Sequence, residues 1–352
     1  MKKRKKKIAV IFGGCSPEYE VSLQSGHAVM TNMNRQRFEV IPIGITREGE
    51  WYCYTGDWEE IPSGRWRNDE SNLYPVGVSL SRSRRGMMLF QDQKVSILPV
   101  DLVFPVLHGK NGEDGTLQGL FELAGIPIVG CTTLSSALCM DKNRAHKLVS
   151  QAGIAVPRAV TFESGRREEG LKKAGQNLRF PLFVKPLRAG SSFGITKVWE
   201  ERQLAAAVDR ALQYDEEITV EEAVEGFEVG CAVMGIHELT VGRVDEIELS
   251  QGFFDYEEKY TLKTSRIHMP ARIDENTEHR IQETAKIIYR VLGCSGFARV
   301  DLFCTPSGKL VFNEVNTIPG FTDHSRYPNM MKGIGLTFPA MLDKLLDLYE
   351  EP

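Results

Sequence analysis

The sequence RVDLFCTPSGKLVFNEVNTIPG, at Arg299–Gly320, restricts the possible folds of this chain more than any other stretch. Two apolar runs flank Ser307-Gly308, and a two-residue connection of this kind is typical of a β-hairpin. If these two residues form the loop, antiparallel pairing places Asp301 opposite Glu314. Strand alternation then separates a polar-rich face from an apolar face. The first face carries Arg299, Asp301, Phe303, Phe312, Glu314 and Asn316, and the second carries Val300, Leu302, Val311 and Val315.

The same register pairs Arg299 with Asn316 and leaves two carboxylates facing each other. Opposed carboxylates on neighbouring strands, about 5 Å apart, repel one another. A hard divalent cation would remove this repulsion, and the side-chain oxygens of Asp, Glu and Asn suit Mg²⁺, especially where the ion also bridges nucleotide phosphates. The pattern therefore indicates a candidate metal site at the hairpin. An ordinary hairpin with a solvated polar face is the alternative.

The size and composition of the chain exclude several classes of protein. A chain of 352 residues predicts two or three domains, and 42% hydrophobic with 26% charged residues is typical of a soluble globular protein. The net charge of -4 gives no reason to expect nucleic acid or an anionic membrane as a partner. The apolar run Ile8–Phe12 is too short for a signal peptide, and no segment reaches the length of a membrane span. The seven cysteines lack CxxC spacing, which indicates free thiols and a cytoplasmic location.

Two glycine-rich turns in the N-terminal part are candidate ligand sites. The predicted strand Ile8–Phe12 ends at Gly13-Gly14, and a helix is predicted from about Glu20, an arrangement that binds an anionic group. Glu18 in this turn could instead receive an ammonium group. The turn lacks the GxGxxG spacing of a dinucleotide site, which argues against a dehydrogenase. The second turn, HGKNGEDGTLQG at His108–Gly119, lets the backbone approach a ligand closely, and a plain tight turn is the alternative.

The remaining pattern predicts alternating strands and helices. Strands are expected at Phe38–Ile45 and Leu102–Leu107, with a loop at roughly 62–86 between them. A helix is expected at Thr133–Gln151, and we place a domain boundary near Gly130. Two later helices are predicted to be structural, one carrying Ile281, Ala285, Ile288 and Leu292, and one capped by Thr337 and carrying Phe338, Leu342, Leu345, Leu346 and Tyr349.

The middle of the chain carries a second set of candidate ligand groups. The predicted strand Pro181–Pro186 contains Lys185, and the loop Arg188–Gly194 could cradle a phosphate, although its spacing is not that of a P-loop and a surface turn is the alternative. Paired carboxylates in the predicted strand Glu217–Val224 could hold an adenine amine or a ribose hydroxyl. A charged hairpin surface explains them equally well. The irregular aromatic segment Gln251–Pro270 is typical of an active-site lid.

Together these motifs resemble the D-alanine–D-alanine ligase family of ATP-grasp enzymes over almost the whole chain. HGKNGEDGTLQG is similar to one family signature, and ARVDLF with NEVNTIPG is similar to the other. The resemblance implies an α/β ATP-grasp fold of three α/β domains, with ATP between the central and C-terminal domains. The expected domains are an N-terminal domain on the first-substrate side (1–130), a central domain with the phosphate loop (131–222) and a C-terminal domain with the lid and the metal-binding hairpin (223–352).

The resemblance also implies roles for individual residues. ATP would contact Lys142, Lys185, Ser192, Glu221, Glu222, Val224, Glu228, Lys259, Phe303 and Asn313. Two Mg²⁺ ions, with Mn²⁺ as the alternative, would bind Asp301, Glu314 and Asn316. A triad of Glu18, Ser191 and Tyr260 would close the lid. Arg299 and the Gly320 amide would stabilise an oxyanion, and Ser325 would anchor the carboxylate of the second substrate. Further substrate contacts would come from Val21, Ser22, His108, Phe254 and Arg326.

The implied reaction converts D-alanine into an acyl phosphate, because a carboxylate is a poor electrophile, and the amine of a second amino acid then attacks it. Phe193, Phe254 and Arg326 depart from the housekeeping pattern and resemble the vancomycin-resistance branch. Lactate-using members of that branch usually have a histidine-containing lid, whereas this lid keeps DYEEKY, so an amino acid is the expected second substrate. The resemblance further implies a homodimer.

D-serine is the predicted second substrate, because an apolar pocket gains little from its extra hydroxyl and a polar partner is needed. Arg326 directly follows Ser325, and its guanidinium could donate to that hydroxyl. The alternative is that Arg326 pairs with a carboxylate such as Asp323. Two other readings of the whole chain remain, a housekeeping D-alanine–D-alanine ligase and a non-catalytic nucleotide-binding regulator.

Overall fold

The computed structural model of the chain describes residues 4–190, 193–249 and 265–350. Five predicted site residues lie outside these ranges, as does most of the predicted lid: Ser191, Ser192, Phe254, Lys259 and Tyr260. Within the described ranges, no helix combines the length and the apolar character needed to cross a membrane. All seven cysteines are free thiols, as predicted.

The first sheet forms around an apolar strand that is buried on both faces. Its strands are β1 (Lys6–Gly13), β2 (Phe38–Ile45), β3 (Trp51–Tyr54), β4 (Leu73–Val78), β5 (Gly86–Gln91), β6 (Lys94–Pro99) and β7 (Leu102–Pro105), in the order β6-β5-β4-β3-β2-β1-β7. β1 pairs in parallel with β2 and β7. A continuous apolar run is expected for such a central strand, because helices α1 (Tyr19–Asn32) and α2 (Thr116–Ala124) accompany the sheet.

The predicted loop at 62–86 is wrong, because β4 and two short helical turns lie within it. Pro75 and Gly77 lower the strand propensity of this segment. Pairing with β3 and β5 nevertheless places it in the sheet, so the tertiary ladder overrides the local preference.

The predicted helix Thr133–Gln151 is divided into α3 (Thr133–Met140) and α4 (Lys142–Gln151). Asp141 between them has extended backbone angles, φ -87° and ψ 96°, and its carboxylate accepts the N–H of Arg144 at 2.9 Å. Asp is a favoured N-cap residue, so it begins a new helix at this point. The break places Lys142 in the first turn of α4.

The central sheet separates an apolar face from a charged face. Its strands are β8 (Ala159–Glu163), β9 (Leu182–Pro186), β10 (Thr196–Val198) and β11 (Glu217–Glu222), all antiparallel, in the order β10-β9-β11-β8. Val184 and Val220 pack with α5 (Arg167–Asn177) and α6 (Leu204–Ala211). Because side chains alternate along a strand, Lys185 and Glu221 lie on the other face.

The third sheet carries the predicted hairpin. Its antiparallel strands are β12 (Phe227–Gly235), β13 (Thr240–Leu249), β14 (Ser265–His268), β15 (Gly296–Cys304) and β16 (Leu310–Asn316), in the order β14-β13-β12-β15-β16. α7 (Glu275–Val291) buries Ile281, Ala285 and Ile288 as predicted. α8 (Arg326–Lys332) packs on β12 and β13, and α9 (Phe338–Asp347) has the predicted Thr337 cap.

The hairpin register is confirmed at the predicted site, although the predicted loop is wrong. Asp301 pairs with Glu314, as predicted. The loop has three residues and not two, since the N–H of Thr305 donates to Lys309 O at 3.0 Å and Gly308 has φ 76°. A bulge at Asn313 takes up the extra residue and restores the register. Phe312 therefore faces the apolar side and is fully buried, contrary to the prediction.

Each predicted domain interval contains one sheet, but the hydrophobic cores cross the predicted boundaries. Buried residues of α3 and α4 pack with the third sheet. Buried residues of β1 share a core with α8 and α9. The divisions at 130 and 222 stay a prediction. The shared cores hold the N-terminal turns against the C-terminal hairpin.

Candidate active site

Helix α4 bridges the central and third sheets with two side chains one turn apart. Lys142 Nζ donates to Ala189 O at 3.3 Å and lies 3.6 Å from Glu314 Oε2. His146 Nε2 donates to Asn313 O at 2.8 Å, because a carbonyl oxygen can only accept. Lys142 and Asn313 were predicted to contact ATP, whereas His146 was not predicted. Its spacing of four residues from Lys142 is a signal that could have found it.

Lys185 and Glu221 form a buried ion pair on the charged face of the central sheet. Lys185 Nζ donates to Glu221 Oε2 at 2.6 Å. Burial opposes ionisation of Glu221, yet the charge of Lys185 outweighs it and lowers the pKa of Glu221. Within the described part of the chain, Glu221 Oε1 has no hydrogen-bond partner. A buried acceptor of this kind fits an N–H or O–H donor of a ligand.

The other predicted nucleotide contacts lie around this pair. Glu222 points to the opposite face, where it pairs with Arg158 at 3.1 Å. Val224 is half-buried in the connection to β12. Glu228 is the ladder partner of Phe303, so these two residues are neighbours on the third sheet. The structure therefore brings Glu228 and Phe303 together and separates the side chains of Glu221 and Glu222.

The predicted metal ligands are three oxygen donors at the end of the hairpin. Asp301 is 1% exposed and accepts two contacts from Arg299 Nε, at 2.8 and 3.1 Å, and one from Arg299 Nη2 at 2.7 Å. Asn316 Nδ2 also donates to Asp301, at 2.9 Å. The predicted repulsion between Asp301 and Glu314 is therefore offset by neighbouring cations, which sequence reasoning did not anticipate.

The donor set at the hairpin fits a hard divalent cation. Glu314 and Asn316 line a pocket that also contains Glu18, Lys142 and Gly190. In the described ranges no three His, Cys, Asp or Glu residues form a metal-binding group, and the predicted ligands are two carboxylates and one amide. Mg²⁺ is commonly bound by one or two carboxylates, with phosphate oxygens and waters completing its shell.

Arg326 lies over Gly230 between two buried carboxylates. Gly230 is the ladder partner of both Asp245 and Asp301, so these carboxylates flank it on adjacent strands. Arg326 Nε and Nη2 donate to Asp245 at 2.7 and 2.8 Å, and Nη2 lies 3.6 Å from Asp301. A Cβ on Gly230 would lie 2.4 Å from Arg326 Nη2, so only glycine leaves room for this guanidinium.

Arg326 thus pairs with a carboxylate, as the alternative from the sequence stated, but the partner is Asp245 and not Asp323. Asp245 was not predicted as a site residue, and only its place in an alternating strand could have suggested it. Arg326 Nη1 also contacts Glu228 at 3.3 Å. A guanidinium has five N–H groups, and these contacts leave Nη1 with one hydrogen for a further acceptor.

Gly320 and Ser325 are brought together at the start of α8. A Cβ on Gly320 would lie 2.9 Å from Ser325 Oγ. Ser325 Oγ accepts the N–H of Thr322 at 3.0 Å and shares a hydrogen bond with Thr322 Oγ1 at 2.8 Å. The predicted oxyanion donor and the predicted carboxylate anchor are therefore neighbours, next to Arg326.

The N-terminal turns approach the same pocket. Glu18 is buried between two glycine-rich loops. A Cβ placed on Gly109 would lie 2.8 Å from Glu18 Oε2, and one placed on Gly190 would lie 3.6 Å from the same atom. Val21 is half-buried in α1. Ser22 Oγ accepts the N–H of Gly13 at 2.8 Å and donates to Val106 O, which ties β1 to the end of β7.

His146 makes a testable contribution to the pH dependence of stability. Burial lowers the pKa of His146, so the folded protein keeps it neutral while the unfolded chain gains a proton below its ordinary pKa of 6.5. Stability is therefore lost as the pH falls below that value, by up to about 1.4 kcal/mol per pH unit. We expect the melting temperature of His146→Gln to fall less than that of the wild type between pH 7 and pH 5. His279→Gln, at a side chain 72% exposed, is the control. Equal falls in all three proteins would contradict the assignment.

The two antiparallel sheets, one with a buried Lys-Glu pair and the other with an oxygen-donor hairpin, are those of an ATP-grasp ligase. Family models described as "D-ala D-ala ligase N-terminus" and "D-ala D-ala ligase C-terminus" match residues 7–131 and 148–347. The chain belongs to the D-alanine–D-alanine ligase family, whose members are ATP-dependent ligases. ATP and a divalent metal are implied by that membership.

Three similar proteins illustrate the range within the family. The crystal structure of VanG D-Ala:D-Ser ligase from Enterococcus faecalis has 67% sequence identity and a TM-score of 0.93, covering 99% of this chain and 100% of that one. Vancomycin B-type resistance protein VanB from Enterococcus faecalis is 46% identical over 347 residues, 97% of this chain and 98% of the relative. D-alanine–D-alanine ligase from Caldicellulosiruptor bescii is 42% identical over 349 residues, 98% and 95% of the two chains.

Proposed function

We propose that the protein joins D-alanine to D-serine, with ATP as co-substrate and D-alanyl phosphate as intermediate. The similarity to VanG, described as a D-Ala:D-Ser ligase, supports D-serine. We also propose a role in peptidoglycan precursor synthesis in the cytoplasm. The similarity to VanB, described as a vancomycin B-type resistance protein, supports a role in vancomycin resistance. The 42% identity to a D-alanine–D-alanine ligase keeps D-alanine as the alternative second substrate.

ATP is proposed to bind between the central and third sheets. Glu221 Oε1, which has no hydrogen-bond partner among the described residues and lies 4.0 Å from His146 Nδ1, would accept a donor from the nucleotide, and Phe303 would pack on the adenine. Lys142, which lines the pocket, and Lys185, on the charged face of the central sheet, would hold phosphate oxygens. Lys142 lies 3.6 Å from Glu314, so it also neutralises part of the charge at the hairpin.

The hairpin is proposed to position the transferring phosphoryl group. Two divalent ions on Asp301, Glu314 and Asn316 would supply charge neutralisation there. The carboxylate of D-alanine attacks the γ-phosphorus, the bond to the ADP oxygen breaks, and ADP leaves. Glu18 is buried between the two glycine-rich loops and would hold the ammonium group of this first D-alanine.

The second step requires an oxyanion site and the exclusion of water. The amine of the second substrate attacks the acyl phosphate, and phosphate leaves with its electron pair. Arg299, held by Asp301 through two nitrogens, and the N–H of Gly320 would stabilise the tetrahedral oxyanion. The residues predicted to exclude water as a lid, Lys259 and Tyr260 with Ser191, lie outside the described ranges.

The observation that carries the choice of D-serine is Arg326 beside Ser325. If Ser325 anchors the carboxylate of the second substrate, the remaining Nη1 hydrogen of Arg326 is the available donor for a nearby hydroxyl. Asp245 holds the guanidinium in place at 2.7 and 2.8 Å, so little side-chain entropy is lost on binding. D-alanine has no side-chain acceptor for this donor.

The experiment incubates the protein with ATP, Mg²⁺, D-alanine and D-serine and identifies the products by mass spectrometry, alongside released phosphate. We expect a D-alanyl dipeptide and one phosphate per dipeptide. L-alanine and L-serine serve as controls and should release none. Absence of amino-acid-dependent phosphate release would contradict the ligase assignment and favour a nucleotide-binding module.

A further inference from the structure

One loop binds both the backbone N–H and the backbone carbonyl of Ile318. Glu113 Oε1 accepts the N–H of Ile318 at 2.9 Å, and His108 Nδ1 donates to Ile318 O at 2.8 Å. Glu113 Oε2 accepts the N–H of Gly109 at 2.8 Å, which closes the loop on itself. Both clamping residues come from HGKNGED, between β7 and α2, and Ile318 lies two residues after the hairpin.

A second contact fixes the other side of Gly320. Burial lowers the pKa of His108, so its ring is neutral and carries its proton on the Nδ1 that faces a carbonyl. Its Nε2 then accepts from the hydroxyl of Ser25 at 3.2 Å, and Ser25 Oγ accepts the N–H of Phe321 at 3.3 Å. Residues 318 and 321 are thus both held by the N-terminal part of the chain, with Gly320 between them.

We propose that Glu113 is a positioning residue that sets the Gly320 amide for the second chemical step. This inference rests on the proposed function, since it assigns the Gly320 N–H to the oxyanion of amine attack. The carboxylate lines the pocket with Glu18 and Glu314, and it acts on the Gly320 amide through Ile318. A displacement of about 1 Å at such a donor can lower a rate about 100-fold.

The two chemical steps respond differently to this displacement. Phosphoryl transfer to D-alanine develops charge on phosphoryl oxygens, near the lysines and the hairpin, and does not need the Gly320 N–H. Amine attack develops charge on the carbonyl oxygen and does need it. If Gly320 is misplaced, the acyl phosphate therefore still forms, but the amine of the second substrate attacks it slowly. Water then hydrolyses the acyl phosphate to D-alanine and phosphate.

Glu113→Gln separates this role from a structural one. Glutamine keeps the shape and one acceptor oxygen, but its NH₂ faces one of the two N–H donors. Burial and the charge of Glu18 raise the pKa of Glu113 to about 8, although its two N–H donors oppose that rise. Because burial already disfavours the charged carboxylate, the neutral amide offsets part of the cost of the lost hydrogen bond, and we expect the melting temperature of the variant to stay within a few degrees of the wild type.

The test measures phosphate released and dipeptide formed in the same reaction with ATP, Mg²⁺, D-alanine and D-serine. We expect one phosphate per dipeptide in the wild type, and in Glu113→Gln at least about fivefold excess phosphate, with dipeptide formation lowered about 10- to 100-fold. Glu122→Gln is the control, because exposed Glu122 also accepts a backbone N–H, from Thr133 at 3.0 Å, outside the pocket.

Two results would overturn the positioning role. The first is a Glu113→Gln variant with wild-type rate and ratio. The second is a variant that loses both products together at a ratio of one, as a structural defect would produce. A wild type that forms no dipeptide contradicts the proposed function instead, so the two failures are distinguishable.

Discussion

Glu314→Gln is expected to lower kcat at least about 100-fold while the melting temperature changes by only a few degrees. The Glu314 side chain is 23% exposed, and Lys142 lies 3.6 Å from it, a distance too long for a hydrogen bond, so the amide is expected to cost the folded protein little through this contact. The reaction depends strongly on the charge of Glu314, because an amide removes one of two carboxylates proposed to bind the divalent ions. Kinetics measured over a range of Mg²⁺ concentrations, with Glu168→Gln as an exposed control, test this expectation.

Asp301→Asn is the less selective variant of the same site. Asp301 is buried and receives Arg299 and Asn316, so the substitution leaves buried cations without their partner. Breaking a buried ion pair in this way destabilises a protein by about 3–5 kcal/mol. We therefore expect Asp301→Asn to lose stability as well as activity.

A kcat of Glu314→Gln within threefold of the wild type at every Mg²⁺ concentration would remove the hairpin from the mechanism.

Arg326→Leu is expected to reduce the preference for D-serine over D-alanine by about 1–3 kcal/mol, the scale of one hydrogen bond in a buried site. The physical reason is the loss of the proposed Nη1 donor. The same variant should be less stable by about 3–5 kcal/mol, because Asp245, 0% exposed, loses its guanidinium.

A second substitution separates the two effects of Arg326→Leu. In Arg326→Leu with Asp245→Asn, no unpaired charge remains beside Gly230, so much of the lost stability should return while the preference stays low. Arg243→Leu is the control for the loss of such an ion pair, because Arg243 pairs with Glu278 of α7 through two nitrogens at 2.7 and 3.0 Å. An unchanged ratio of D-serine to D-alanine use in Arg326→Leu would place selectivity elsewhere.

Sequence patterns predicted those parts of the fold that depend on local chemistry. The apolar run of β1, the Thr337 cap and the pairing of Asp301 with Glu314 follow from alternation and turn residues. The hairpin also shows the limit of this reasoning. Its loop is one residue longer than predicted, and the bulge at Asn313 compensates, because buried Phe312 prefers the apolar core to the polar face.

The partners of the site residues could not be predicted, because they depend on contacts between distant segments. The pairing of Lys185 with Glu221 requires the register of β9 against β11. The pairing of Arg326 with Asp245 requires α8 to lie across β12 and β13 above Gly230. No local pattern encodes these arrangements. The types of chemical group at the site were therefore predictable, whereas their charge balance was not.

Direct competition between D-alanine and D-serine tests whether D-serine is the second substrate. The protein is given ATP, Mg²⁺ and equimolar D-alanine and D-serine, and the two dipeptides are quantified by mass spectrometry at early time points. D-alanyl-D-serine is expected in excess over D-alanyl-D-alanine. An excess of D-alanyl-D-alanine would contradict the proposal and assign the protein to the synthesis of the ordinary dipeptide.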